Sequence, residues 1–132
     1  MLTQMSIRNF ALIEQMNISF KDGITIFTGE TGAGKSILMD AFSILLGERA
    51  SSEFIRHGKD SFVIDGIFDI ADHQSLLDLL QSKNILTEDN QLILSRSFNT
   101  SGKSIILAND QPIPLKALKE IGLLLADIHG QY

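Results

Sequence analysis

The apolar residues of this chain, with turn residues between them, predict five β-strands, and apolar and polar positions alternate most clearly in the third. The five segments are residues 2–8, 15–20, 62–70, 92–97 and 104–108. A polar stretch around Gly102 separates the last two segments, which predicts a hairpin. Asp65 and Asp69 fall on the polar side of the third segment, so we expect that strand to have one buried and one solvated face.

Three other segments have the spacing of helices. Residues 36–46 carry apolar side chains on nearly every side, which predicts a buried helix that ends at Gly47. Asp72 is placed to cap a short helix that bears four leucines. Pro114 suits the first turn of a third helix, which runs to about Ala126.

A sixth strand is predicted over residues 24–28, and a glycine-rich segment follows it directly. That segment matches the phosphate-binding pattern G-x-x-x-x-G-K-[ST], and it consists of Gly29, Glu30, Thr31, Gly32, Ala33, Gly34, Lys35 and Ser36. Glycines let the backbone N–H groups approach phosphate oxygens, and the following helix adds its positive N-terminal end. The pattern predicts that Lys35 contacts the β- and γ-phosphates and that Ser36 ligates Mg²⁺.

Composition narrows the class of protein. The 132 residues are 44% hydrophobic and carry a net charge of −5, which is typical of one soluble domain. The chain has no apolar run long enough to predict a transmembrane helix, and it has no cysteine, so a cytoplasmic protein without disulfides is expected. The acidic balance gives no electrostatic footprint for nucleic acid, so any contact with DNA must be local or lie elsewhere.

The end of the chain permits several interpretations. Residues 123–127 fit a Walker B segment, and residues 127–131 fit the D-x-x-G-Q pattern of small GTPases. Both patterns require a strand at 123–126, where leucine and alanine at helical spacing favour a helix. A third interpretation places the Gln131 amide near Mg²⁺ and the γ-phosphate. A self-contained GTPase or small-molecule kinase stays open as an alternative, as does a non-catalytic fragment whose last helix meets a partner.

Four segments together resemble the RecN family of SMC-like proteins within the ABC ATPase superfamily. They are residues 6–14, 29–41, 46–50 and 127–131. The resemblance implies an α/β P-loop NTPase fold, namely the N-terminal lobe of an ABC/SMC-type ATPase head with antiparallel β elements before and after the P-loop unit. Residues 1–132 then form one domain, and the coiled coil and the C-terminal lobe lie beyond it.

The same resemblance implies a function. Members act in recombinational repair of DNA double-strand breaks, at the nucleoid in the bacterial cytoplasm, with ATP and Mg²⁺ as cofactors. Hydrolysis requires the C-terminal lobe and a second head, and DNA is contacted through the full-length protein. Gln131 matches the Q-loop glutamine, so it is expected to act beside Lys35 in catalysis and beside Ser36 at the metal.

Three arginines receive weaker assignments. Arg56 matches an arginine that SMC-like heads use for nucleotide or DNA sensing, and a solvated loop residue is an equal alternative. Arg8, with Asn9, lies either near the adenine or ribose or at an exposed strand end. Arg96, on the later hairpin, is the weakest candidate.

Overall fold

The structure is a computed structural model that describes residues 1–20 and 32–128, and it describes the side chains of all of these except 32–36 and 128. The predicted strand at 24–28 and the segment after residue 128 therefore lie outside the described residues. Six strands and three α-helices occupy the described part. They are β1 (Leu2–Phe10), β2 (Ile13–Ser19), α1 (Gly32–Leu45), β3 (Ser61–Asp69), α2 (Gln74–Ser82), β4 (Gln91–Asn99), β5 (Ser104–Ala108), β6 (Gln111–Pro112) and α3 (Leu115–Ile128).

The strands form one antiparallel sheet in the order β2-β1-β3-β4-β5-β6. Alternation decides which face of this sheet is buried, because successive side chains of a strand point to opposite faces. In β3, Phe62, Ile64 and Phe68 are fully buried, while Asp69 is exposed and Asp65 is only half-buried. The prediction of one buried and one wetter face is confirmed.

Helix α1 packs on the buried face of the sheet, over β3 and β4. Gly66 of β3 makes this approach possible, since a Cβ at that position would lie 2.6 Å from Leu45 Cδ2 of the helix. Phe42 of α1 and Phe68 of β3 pack with ring centroids 6.5 Å apart. Helix α1 thus lies against the sheet through contacts of Leu45 and Phe42 with β3.

The predicted helices and strands that fall within the described residues are present, with differences at their ends. Helix α2 is real, but Asp72 as its cap is wrong. The N-cap residue is His73, and its side chain makes no capping hydrogen bond. Leu76 N and Leu77 N both bond to His73 O, so the helix starts one residue later than a cap at Asp72 requires.

Candidate nucleotide-binding site

Helix α1 begins inside the glycine-rich segment, at Gly32 rather than near Lys35 as the apolar pattern predicted. The apolar stretch starts only after Ser36, and glycine is a poor helix former, so periodicity alone places the start too late. The backbone of Gly32, Ala33, Gly34, Lys35 and Ser36 therefore forms the beginning of the helix.

The remaining predicted site residues, Gly29, Glu30, Thr31 and Gln131, lie outside the described residues, as do the side chains of Lys35 and Ser36. The described part of the site is thus the backbone at the start of α1.

The start of α1 has the properties of an anion site. The first backbone N–H groups of a helix have no partner within the helix, and they lie at the positive end of its dipole. No acidic residue lies in the first turn of α1, so no carboxylate of that turn competes for these groups. Glycine and alanine leave the backbone accessible to a phosphate. The start of α1 therefore fits an anion such as a phosphate group.

The other end of α1 is closed by a Schellman motif. Gly47 has φ +117°, and its N–H bonds to Ile44 O at 3.1 Å. Glu48 N bonds to Ser43 O at 3.0 Å, which completes the pair of hydrogen bonds that defines the motif. The prediction that the helix stops at Gly47 is confirmed.

Arg96 of β4 reaches this same end of α1. Its Nη1 donates to Ile44 O at 2.6 Å and also to Glu48 O. The side chain is only 2% exposed, and burial lowers the pKa of the guanidinium from its usual value. Helix α1 has no basic residue in its own last turn, so Arg96 supplies the positive charge that favours the negative end of a helix.

Sequence reasoning ranked Arg96 lowest among the arginines and missed this contact. Arg96 pairs with Ile64 and Ile106 on the neighbouring strands, and it continues the alternation of buried Leu92 and Leu94. An arginine at a core position of an alternating strand needs buried acceptors, because an unpaired buried charge is costly. That alternation was the available signal.

Gly122 of α3 also meets the end of α1. A Cβ at Gly122 would lie 1.8 Å from Leu46 O, so α3 passes directly over the last carbonyls of α1. Lys119 lies one turn earlier on α3 and is next to Gly47. A Cβ at Gly47 would lie 3.0 Å from Lys119 Cα. Two other elements, β4 and α3, therefore contact the C-terminal end of α1.

Arg8 of β1 and Arg56, in the loop before β3, lie near each other at the β1–β2 hairpin. Arg56 is half-buried, and its Nη1 donates to Leu12 O at 2.8 Å while its backbone N–H bonds to Asn9 O. Arg56 is thus tied to the turn between β1 and β2 rather than fully solvated. Arg8 is exposed, and its Nε donates to Gln15 Oε1 at 3.3 Å on β2, which agrees with an exposed strand end.

The last helix bears on the competing motifs. Residues 123–126 lie within α3, so the strand that both the Walker B and the D-x-x-G-Q interpretations require is replaced by helix. Leu118, Ile121 and Leu125 of α3 are buried within this chain, whereas Leu123 is 70% exposed. Within residues 1–20 and 32–128 there is no group of three metal-ligating side chains and no helix able to cross a membrane.

The chain belongs to an AAA domain family, whose model matches residues 4–111. Over all 132 residues it is 44% identical to the DNA repair protein RecN of Bacillus subtilis (strain 168), of which it spans 23% of the length. The resemblance to RecN noted from the sequence is therefore confirmed.

Solved structures agree on the fold. A chain from work on ATP-driven dimerization and DNA-stimulated activation of SMC ATPases superposes with TM-score 0.70 at 19% identity, covering 93% of this chain and 78% of that one. The recombination mediator RecF with ATP superposes with TM-score 0.64 at 19% identity, covering 92% of this chain and 30% of RecF. The fold is that of an SMC- and RecF-type ATPase head, an α/β P-loop NTPase, as predicted.

Proposed function

We propose that this chain is the ATP-binding half of a RecN-like ATPase that acts in recombinational repair of DNA double-strand breaks in the bacterial cytoplasm, at the nucleoid. The observation that carries the proposal is the beginning of α1, where the second half of the phosphate-binding pattern forms a first turn without acidic residues. The similarity to RecN supports the repair role, and the likeness to SMC and RecF heads supports the split-head arrangement.

The chain's own residues have distinct tasks in this proposal. Backbone N–H groups of residues 29–36 bind phosphate oxygens, and Lys35 neutralises the charge of the β- and γ-phosphates. Ser36 and Gln131 would hold Mg²⁺, with the Gln131 amide beside the γ-phosphate. The bound metal ion would neutralise charge on the phosphates.

Hydrolysis requires groups that this chain does not contribute. By resemblance to the family, a C-terminal lobe and a second head complete the site, and DNA is contacted by the full-length protein. The 132-residue chain is therefore expected to bind Mg·ATP weakly and not to turn it over. A self-contained GTPase or small-molecule kinase would instead favour its own substrate without a partner.

Calorimetry with Mg·ATP and Mg·GTP tests the proposal. Lys35→Ala should weaken Mg·ATP binding about 30-fold or more, because charge-assisted contacts to phosphate contribute about 2 kcal/mol or more. Lys103→Ala is the matched control, since Lys103 is an exposed lysine of the β4–β5 loop. A clear preference for GTP, or Lys35-dependent ATP hydrolysis by this chain alone, would overturn the split-head proposal.

A further inference from the structure

Arg96 stands out among the described residues because it is a charged side chain buried without a carboxylate. Its two hydrogen bonds go to main-chain carbonyls of Ile44 and Glu48. Its Nε is buried and has no hydrogen-bond partner within the described residues. Leaving a buried donor unpaired is costly, so a core residue of this kind calls for a compensating role.

We infer that Arg96 is a positioning residue for the nucleotide site, which acts by fixing the C-terminal end of the P-loop helix α1 to the β4–β5 hairpin. The inference rests on the proposed function for its ligand, Mg·ATP. Its structural part, that the contact holds the whole helix in place, stands on the observed hydrogen bonds.

The geometry explains how a contact at one end reaches the other. Helix α1 has 14 residues and is therefore about 20 Å long, too far for the charge of Arg96 to act on a phosphate directly. A helix transmits displacement as a rigid element, and Lys35 and Ser36 lie at its opposite end. Arg96 bonds to a residue 52 positions earlier in the chain, so it ties the helix to the sheet across the core.

The Schellman motif does not replace Arg96. The hydrogen bonds from Gly47 N and Glu48 N satisfy carbonyls within the helix end itself, and they set no direction for the helix axis. Gly122 lets α3 come close to Leu46 O because it has no side chain, and it therefore offers no side-chain donor to that carbonyl. The hydrogen bonds of Arg96 thus connect the end of α1 to strand β4 of the sheet.

The test separates positioning from stability. Arg96→Met removes the donors and keeps the length of the side chain, while Arg96→Lys keeps the charge. Leu80→Ala serves as the stability control, because Leu80 is fully buried on α2, the helix that packs against α3. Mg·ATP affinity is measured by calorimetry, and amide hydrogen exchange is followed separately for α1 and α2.

We expect Arg96→Met to weaken Mg·ATP binding about tenfold, because a small misplacement of binding groups has effects of this size or larger. Exchange in α1, including residues 32–36, should become about tenfold faster relative to α2. Arg96→Lys should recover part of both effects, and it replaces Arg96→Met if the latter does not fold. Leu80→Ala should lower the melting temperature without a change in affinity, and it should speed exchange in α2 more than in α1, because Leu80 lies on α2.

Two outcomes would overturn the inference. One is an Arg96 variant with unchanged affinity beside a lowered melting temperature, as in Leu80→Ala. The other is exchange that rises equally in α1 and α2. If the unmodified chain binds no Mg·ATP, the proposed function fails, and the exchange ratio alone then decides whether Arg96 positions α1.

Discussion

The two ends of α1 are built in opposite ways. The N-terminal end consists of consecutive residues, since Gly32 to Ser36 supply both the start of the helix and half of the phosphate-binding pattern. The C-terminal end also contacts distant segments, because Arg96 of β4 and Gly122 of α3 meet it beside Gly47, which directly follows the helix. The phosphate-binding pattern is thus contiguous in the sequence, whereas the C-terminal end of the helix depends on tertiary contacts.

The largest effect is expected where α3 crosses the end of α1. Gly122→Ala would place a Cβ 1.8 Å from Leu46 O, and a main-chain carbonyl in a packed core cannot move aside without displacing the helix. We expect a loss of about 3 kcal/mol or more in the free energy of unfolding, at the upper end of overpacking costs. Thermal denaturation followed by circular dichroism measures it.

Gly58→Ala is the control for that variant. Gly58 has φ +85°, and a Cβ there would meet no atom within 4 Å, so only the backbone strain of about 1 kcal/mol remains. Equal melting temperatures for the two variants would show that the close crossing of α3 over α1 does not exist in solution.

A smaller effect is expected at Gly66 of β3, which faces Leu45 of α1. A Cβ at this position would lie 2.6 Å from Leu45 Cδ2, which is the flexible end of a side chain and can turn away. Gly66→Ala should therefore destabilise by about 1–2 kcal/mol, less than Gly122→Ala. Chemical denaturation of the single variant gives the value.

The double variant Gly66→Ala with Leu45→Val sharpens this prediction. Valine has no δ carbon, so the clash disappears, and the two substitutions together should cost less than the sum of the two single losses. Strict additivity would contradict direct contact between these residues.

The difference between the two ends of α1 also explains what the sequence could predict. The strand positions were predictable because apolar runs and the turn residues that bound them are local features, and five of the predicted strands appear with ends that agree within two residues. The phosphate-binding pattern was recognisable because its eight positions are contiguous.

Arg96 and Gly122 could not be assigned in the same way. Arg96 contacts a carbonyl 52 residues away, and no local pattern marks a backbone acceptor as a partner. The tight approach at Gly122 depends on how α3 crosses α1, which periodicity does not specify. The cap of α2 failed for a related reason, because a suitable residue type at 72 does not determine which residue starts the helix.

The smallest effect is expected at the ion pair between Lys83, which caps the C-terminal end of α2, and Glu120 of α3. Lys83 Nζ lies 2.5 Å from Glu120 Oε1, and both side chains are partly exposed to solvent. Exposed pairs contribute little, because water and salt screen them. Lys83→Met should therefore shift the melting temperature at neutral pH less than Gly66→Ala does.

The pH dependence of the melting temperature identifies the contribution of this ion pair more clearly than the size of the effect at neutral pH. The hydrogen bond from Lys83 lowers the pKa of Glu120 below its usual 4.5. A carboxyl whose folded pKa is depressed stabilises the fold above its unfolded pKa, and that stabilisation is lost as the pH falls through the folded pKa. The difference in melting temperature between the unmodified chain and Lys83→Met should therefore shrink below pH 4.5. A difference that persists unchanged in acid would mean that it does not arise from the ion pair with Glu120.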